Sequence, residues 1–297
     1  MSNTESSMAR WYKHGKALID EISNSKPEAS EAYIWFMGQH GFAVNLANVI
    51  FHIDVILNDF VDREGKSRRE YPAPFDPGEP QRVDYVLCSH NHGDHLNMKT
   101  LLPLAAANPG ARFVVPAPWT AILKDAGIGE ERIIPARSGE EIKLKGPRGD
   151  LQILPVPAVH TKYIQEEGEK NDQGDYTSLG FIIKGEGISL YHCGDTWITP
   201  PLVEELKARG PLDIALLPIN GTDWERTATN CIGNVSYLDA AKLAKAVPVD
   251  LVIPSHYDMM GNNSENPARF AEAMYALCPQ KRYHVSALGE RFIYKKD

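Results

Sequence analysis

Between Ser89 and His95 the chain reads S-H-N-H-G-D-H, which sets His90, His92, Asp94 and His95 within six residues of one another. Imidazole and carboxylate together suit zinc, manganese or iron. The run follows the apolar segment VDYVLC and leads into a helical pattern starting at Asp94, so these side chains sit at a strand-to-helix turn, free to converge. Three more candidate ligands have the same setting: His160 follows LPVPAV, Asp195 follows SLYHCG and His256 follows LVIPS. Seven donors are enough for two ions. A pair of cations acidifies a shared water, which supplies hydroxide as a nucleophile near neutral pH, so the natural chemistry is hydrolysis.

These residues must be carried by regular elements. From residue 32 the short β-rich runs AYIWFM, FAVNLA and VIFHIDVIL read as a meander. VDYVLC (83–88), FVV (113–115), LQILPV (151–156), LGFIIKG (179–185), ISLYHC (188–193), DIALLPI (213–219) and DLVIPS (250–255) read as further strands. Helical patterns cover 94–107, 116–126, 200–209, 236–246 and 267–277. Strands alternating with helices argue for helices on the outer faces of sheets. The stretch 62–82 is charged and rich in Pro and Gly, as expected of a long surface loop. Residues 1–31 stand apart as an N-terminal helical extension, with Trp11, Leu18 and Ile22 at helical spacing before the linker SNSKPEAS. That stripe packs either on its own domain or on a neighbouring subunit of a homo-oligomer.

The motif H-x-H-x-D-H at 90–95, with His160, the Gly-Asp at 194–195 and His256, resembles the metallo-β-lactamase superfamily over nearly the whole chain from about residue 32. The resemblance implies an α/β fold, an αββα sandwich spanning 32–297 with a two-metal site at one edge. Carried over by position, His90, His92 and His160 hold the first ion, Asp94, His95 and His256 the second, and Asp195 bridges them. More narrowly, G-Q-x-G-F at 38–42, Y-H-C-G-D-T at 191–196, D-I-A-L-L-P at 213–218, VSYLDAAKLAKAV and IPSHYDMMGNNSENPARF resemble the L-ascorbate-6-phosphate lactonase group, although members of that group can carry Asp at the position of His160. This implies a metal-bound hydroxide opening a small phosphorylated lactone or ester. Asp94, besides ligation, is expected to orient the hydroxide and pass on its proton.

An anionic substrate needs cationic or amide partners. Candidates are Lys162, Arg226 and Asn262, together with His192 and Tyr257 beside two of the ligands. Substrate choice is expected to rest with loops 62–82, 161–178 and 220–234. The basic run KSRRE at 66–70 reads as a solvated loop, Cys193 as a buried small residue, and Gly185 with Gly187 as a hairpin. Competing readings are a metal-dependent phosphodiesterase or phospholipase-D-like hydrolase and, outside hydrolysis, a non-catalytic metal-binding protein.

Composition narrows the classes. The 297 residues carry 31 Lys+Arg against 39 Asp+Glu, a net charge of −8 that is a poor match to nucleic acid. No apolar run approaches the roughly 20 residues of a membrane span. The polar start MSNTESSMARWYKHGK lacks a signal-peptide core, so a cytoplasmic location is expected. The four cysteines form no C-x-x-C pair, which leaves thiolate zinc sites and redox motifs without support.

Overall fold

The computed structural model describes residues 10–61 and 66–296. Residues 1–9 of the N-terminal extension and 62–65 of the expected surface loop lie outside the described residues. The apolar runs form two seven-stranded sheets. One contains β1 (Glu31–Phe36), β2 (Phe42–Leu46), β3 (Val49–Ile53), β4 (Tyr85–Leu87), β5 (Arg112–Pro116) and β6 (Ile133–Ala136). The other contains β7 (Ile142–Gly146), β8 (Gly149–Pro157), β9 (Leu179–Gly185), β10 (Ile188–His192), β11 (Leu212–Pro218), β12 (Val249–Ser255) and β13 (Arg282–Tyr283). The last strand, β14 (Arg291–Lys295), returns to edge the first sheet beside β1. Each sheet is antiparallel in one half and parallel in the other. Gly185 and Gly187 join β9 to β10 as the expected hairpin.

The parallel halves need crossovers: β3 reaches β4 through the long segment 54–84, and helices supply the others. Their ranges are α1 (Gly15–Ser23), α2 (Met98–Ala107), α3 (Thr120–Asp125), α4 (Pro200–Ala208), α5 (Trp224–Ala228), α6 (Tyr237–Ala246) and α7 (Pro267–Leu277). Local chemistry fixes their starts. Ser236 caps α6 by accepting from Asp239 N, and Asn266 caps α7 by accepting from Ala268 N ahead of Pro267.

Strands β2, β3, β10 and β11 are buried along their whole length, which is why they read as unbroken apolar runs rather than alternating ones. Between the sheets, Ile34, Val44 and Phe51 meet Phe181, Ile183 and Leu216 in one core. On the outer face of the first sheet, Leu18 and Ile22 of α1 and Leu101 and Leu104 of α2 pack with Trp35, Val86 and Phe113. Leu202, Leu206, Ala240, Leu243, Phe270 and Met274, from α4, α6 and α7, pack with the second sheet in the larger core. The layers run helix, sheet, sheet, helix. The stripe of α1 is covered within its own chain.

Candidate metal centre

Each candidate ligand leaves a strand at the same edge of the sandwich. His90, His92, Asp94 and His95 follow β4 of the first sheet, whereas His160, Asp195 and His256 follow β8, β10 and β12 of the second. Ligand sites in α/β sheets commonly form beyond the carboxyl ends of strands. The turn after β10 depends on Gly194, whose φ is +62° and where a Cβ would stand 2.7 Å from the Leu179 carbonyl oxygen. Only glycine suits both conditions. Gln39, Asp54 and His256 also hold positive φ, at 55°, 49° and 57°. Such strain in side-chain-bearing residues concentrates where geometry is functional.

The seven donor groups meet. His92 Nδ1 lies 2.9 Å from His90 Nε2 and 3.0 Å from His160 Nε2. His95 Nε2 stands 3.6 Å from Asp94 Oδ2 and 3.3 Å from Asp195 Oδ2, and His256 Nε2 is 3.5 Å and 3.3 Å from the same two oxygens. Asp195 Oδ2 also reaches to 3.9 Å from His160 Nε2, which puts it between the two groups. Donors about 2.1 Å from a common ion at tetrahedral angles are roughly 3.4 Å apart, so these separations are those of co-ligands. Three imidazole nitrogens facing one another cannot all be satisfied by protons, and His95 Nε2 and Asp195 Oδ1 are buried without a hydrogen-bond partner among the described residues. The donor set therefore fits divalent cations. His90, His92 and His160 are suited to one, Asp94, His95 and His256 to the other, and Asp195 to both.

Electrostatics agree with that division. Burial holds the His90 imidazole well below its ordinary range and His160 at about 4, so both rings are neutral, the form that can ligate. Burial also pulls His256 down, but the Asp195 and Asp94 carboxylates outweigh it and raise the ring to about 9. Burial pushes the Asp195 and Asp94 carboxyls up, yet His256 and His95 hold both well below the carboxylate range.

Supporting groups come mostly from residues the sequence did not single out, Asp54, Ser89 and His40. Asp54, at the end of β3, accepts from Ser89 N at 2.8 Å, Ser89 Oγ at 2.6 Å and His95 Nδ1 at 2.8 Å. Ser89 Oγ also lies 3.0 Å from His90 Nδ1. Asp54 thereby holds His95 directly and His90 through Ser89, which turns both Nε2 atoms toward the other candidate ligands. His40 bonds Ser255 Oγ at 2.7 Å. The further grouping of His40, Asp54 and His192 has its Asp54 oxygens and His192 nitrogens already engaged, so it braces the centre from beneath.

The expected substrate contacts divide. Asn262 lines a cavity of about 340 Å³ over the ligands, with Phe60, Arg68, Asn230, Cys231 and Asn263. Lys162 bonds Asn230 Oδ1 at 2.8 Å at the rim. Arg226 is spent on Asp223, the Asn220 carbonyl and Asn263 Oδ1, so it braces Asn263 and does not face the substrate. His192 is fully buried and donates to the His40 carbonyl, and Tyr257 donates to the Ser286 carbonyl. Neither lines the cavity. In the run 66–70 the residues are exposed, as expected of a solvated loop, except Arg69, which is buried on the carbonyls of Ile56, Asn58 and Tyr71, while the exposed Arg68 faces the cavity. The Arg68 guanidinium has no hydrogen bond or ion pair among the described residues. Cys193 is buried, as expected.

Residues 52–257 match the family model described as beta-lactamase superfamily domain. A UPF0173 metal-dependent hydrolase of Methanopyrus kandleri is 28% identical over 240 residues, covering 80% of this chain and 89% of that one. Another, from Methanoculleus marisnigri, is 30% identical over 201 residues, or 66% and 77% of the two chains. Among solved structures, Igni18, a metallo hydrolase from Ignicoccus hospitalis, has the same fold with a TM-score of 0.67 at 21% identity, covering 90% of this chain and all of that one.

Proposed function

Because this chain belongs to the beta-lactamase superfamily domain family and is a metal-dependent hydrolase, we propose that it uses two divalent ions to open a small anionic lactone or ester of the L-ascorbate 6-phosphate kind. One observation carries the reading: seven imidazole and carboxylate donors converge, four of them, His92, Asp94, His160 and Asp195, lining a cavity whose wall also bears the Arg68 guanidinium, unpaired among the described residues. Bound there, zinc, manganese or iron ions would supply hydroxide near neutral pH and polarise the scissile carbonyl. The chain's own residues do the rest. Asp94 Oδ2 faces His95 and His256 at co-ligand distance, which leaves Oδ1 to take the nucleophile's proton and hand it to the leaving alkoxide. Arg68 is placed to pair with a phosphate through two N–H groups. Asn262 and Asn263 bring side-chain amides to the same cavity.

The test is hydrolysis of L-ascorbate 6-phosphate by protein loaded separately with manganese and with zinc. Turnover is expected from the wild type and not from Asp94→Ala. Arg68→Ala is expected to raise KM about tenfold or more with a smaller effect on kcat, because a hydrogen bond to a charged group contributes ~1.5–3 kcal/mol. Absence of turnover with either ion bound would remove the lactone and keep the hydrolase.

A different observation favours a second reading, a phosphodiesterase or phospholipase-D-like hydrolase acting on a substrate with an apolar chain. Tyr163, Ile164 and Trp224 are 69%, 68% and 78% exposed, and with Trp197 they line an open groove of about 600 Å³. Lys162 belongs to that groove and bonds Asn230 of the metal cavity, so the two spaces adjoin. Exposed apolar surface of this kind marks a binding site. Faster cleavage of a long-chain phosphodiester than of the lactone would select this reading.

A further inference from the structure

Gln39 belongs to the G-Q-x-G-F motif and to none of the roles assigned above. Its backbone is held on both sides: Gln39 N donates to Asp258 Oδ1 at 3.1 Å, and its carbonyl accepts from His256 N. With φ at +55° and 1% exposure, the residue is strained and sealed. Its side-chain amide points into the second group of ligands, with Nε2 at 2.8 Å from Asp94 Oδ2 and 3.2 Å from His256 Nε2. These are the same two atoms that face the second ion. Meanwhile Gln39 Oε1 is buried with no hydrogen-bond partner among the described residues.

An amide nitrogen is poorly placed beside His256 Nε2. That ring nitrogen has one lone pair, and a bound cation takes it. Once the ion is present, the N–H has nothing to donate to on that side. Turning the terminal amide by half a revolution gives up the donation to Asp94 Oδ2 but puts Oε1 in the same place, at co-ligand distance from both neighbours, where the cation engages the acceptor that is otherwise orphaned. We propose that Gln39 is a further ligand of the second ion through Oε1. The inference rests on the two-ion reading of the site. It also gives the two positions different chemistry: three imidazoles and one carboxylate around the first ion, against three oxygens and two imidazoles around the second. Oxygen-rich sets suit harder cations such as manganese.

The experiment is titration of metal-free protein with Mn²⁺, read by calorimetry and by the paramagnetic spectrum of the bound ion, for wild type, Gln39→Ala, Gln39→Met and Gln39→Glu. Gln39→Met keeps the side-chain volume should the alanine variant fail to fold. The wild type is expected to bind two ions. Alanine and methionine variants are expected to keep the first and bind the second at least about tenfold more weakly, the lower end of what lost support at a metal site costs. Glutamate, which keeps the oxygen, is expected to stay within a few-fold of wild type. Unchanged second-ion affinity and spectrum in Gln39→Ala would overturn the proposal. A glutamate variant as impaired as alanine would also overturn it, because the amide would then act only as a donor to Asp94. A wild type that binds one ion would overturn the two-ion reading along with it.

Discussion

At the scale of single residues, the site was legible where chemistry restricts both residue type and spacing. Three histidines and an aspartate within six positions leave little besides a metal to explain them, and strand-end His160, Asp195 and His256 completed the set. Residues that act through the ligands were not legible. Asp54 ends an apolar run and, read alone, is an ordinary turn aspartate; only the fold shows that its two oxygens collect Ser89 and His95. Arg68 was hidden for the opposite reason, because a run of basic residues is usually solvated and nothing in KSRRE tells which side chain turns inward. Asp54→Asn keeps the shape but cannot accept from three donors at once. Its affinity for metal is expected to fall about 10- to 100-fold, measured by competition with a chromophoric chelator. Wild-type affinity in this variant would remove the orienting role of Asp54.

At the scale of elements, the strands that the sequence delineated well are the central ones, whose two covered faces make them continuously apolar. β6, β7 and β14 escaped because they lie at or near sheet edges and mix buried with exposed positions. The five-residue α5 escaped because its sequence, WERTA, buries no residue at all. A central strand also carries one polar anomaly. His52 of β3 stands between Ala43 and Val86 with both ring nitrogens buried and unpartnered among the described residues. Burial lowers its pKa from 6.5 to about 4. Between those values the unfolded chain binds a proton that the folded chain refuses, so stability present above pH 6.5 is lost as the pH falls through this window. One pKa unit is about 1.4 kcal/mol, which makes the loss about 2 to 3 kcal/mol by pH 4.5. His52→Leu is expected to recover that amount of the difference between pH 7 and pH 4.5, read by urea unfolding in chelator. An equal loss in the variant would show that His52 is not the acid-sensitive group.

Over the whole molecule, alternating strands and helices argued for helices on the outer faces of sheets, and the αββα sandwich itself was implied by the resemblance that the ligand motif carries. Leu18, Ile19 and Ile22 of α1 pack against the first sheet of their own chain. No helix among the described residues is long and apolar enough to cross a membrane. Bound ions would also fasten the layers together, since four of the candidate ligands leave the first sheet and three leave the second. Ions that bind only the folded chain stabilise it by mass action, ~4 kcal/mol for each one present at a thousand times its Kd. For a chain of this size that corresponds to roughly 10 °C or more in Tm for the pair. Chelation is therefore expected to lower Tm by about that much in a calorimetric scan, with recovery on adding manganese or zinc. A Tm indifferent to chelator would mean the sheets are joined without help from metal.

The claim beneath all of this is that two ions, held between the sheets, make the chain a hydrolase. Metal-free protein titrated with Mn²⁺ while hydrolysis of L-ascorbate 6-phosphate and a panel of other lactones and phosphodiesters is followed tests it most directly. The two-ion centre requires activity on at least one of these substrates to rise from nothing and level off at two equivalents per chain. A plateau at one equivalent, or hydrolysis that proceeds with no metal added, would contradict it.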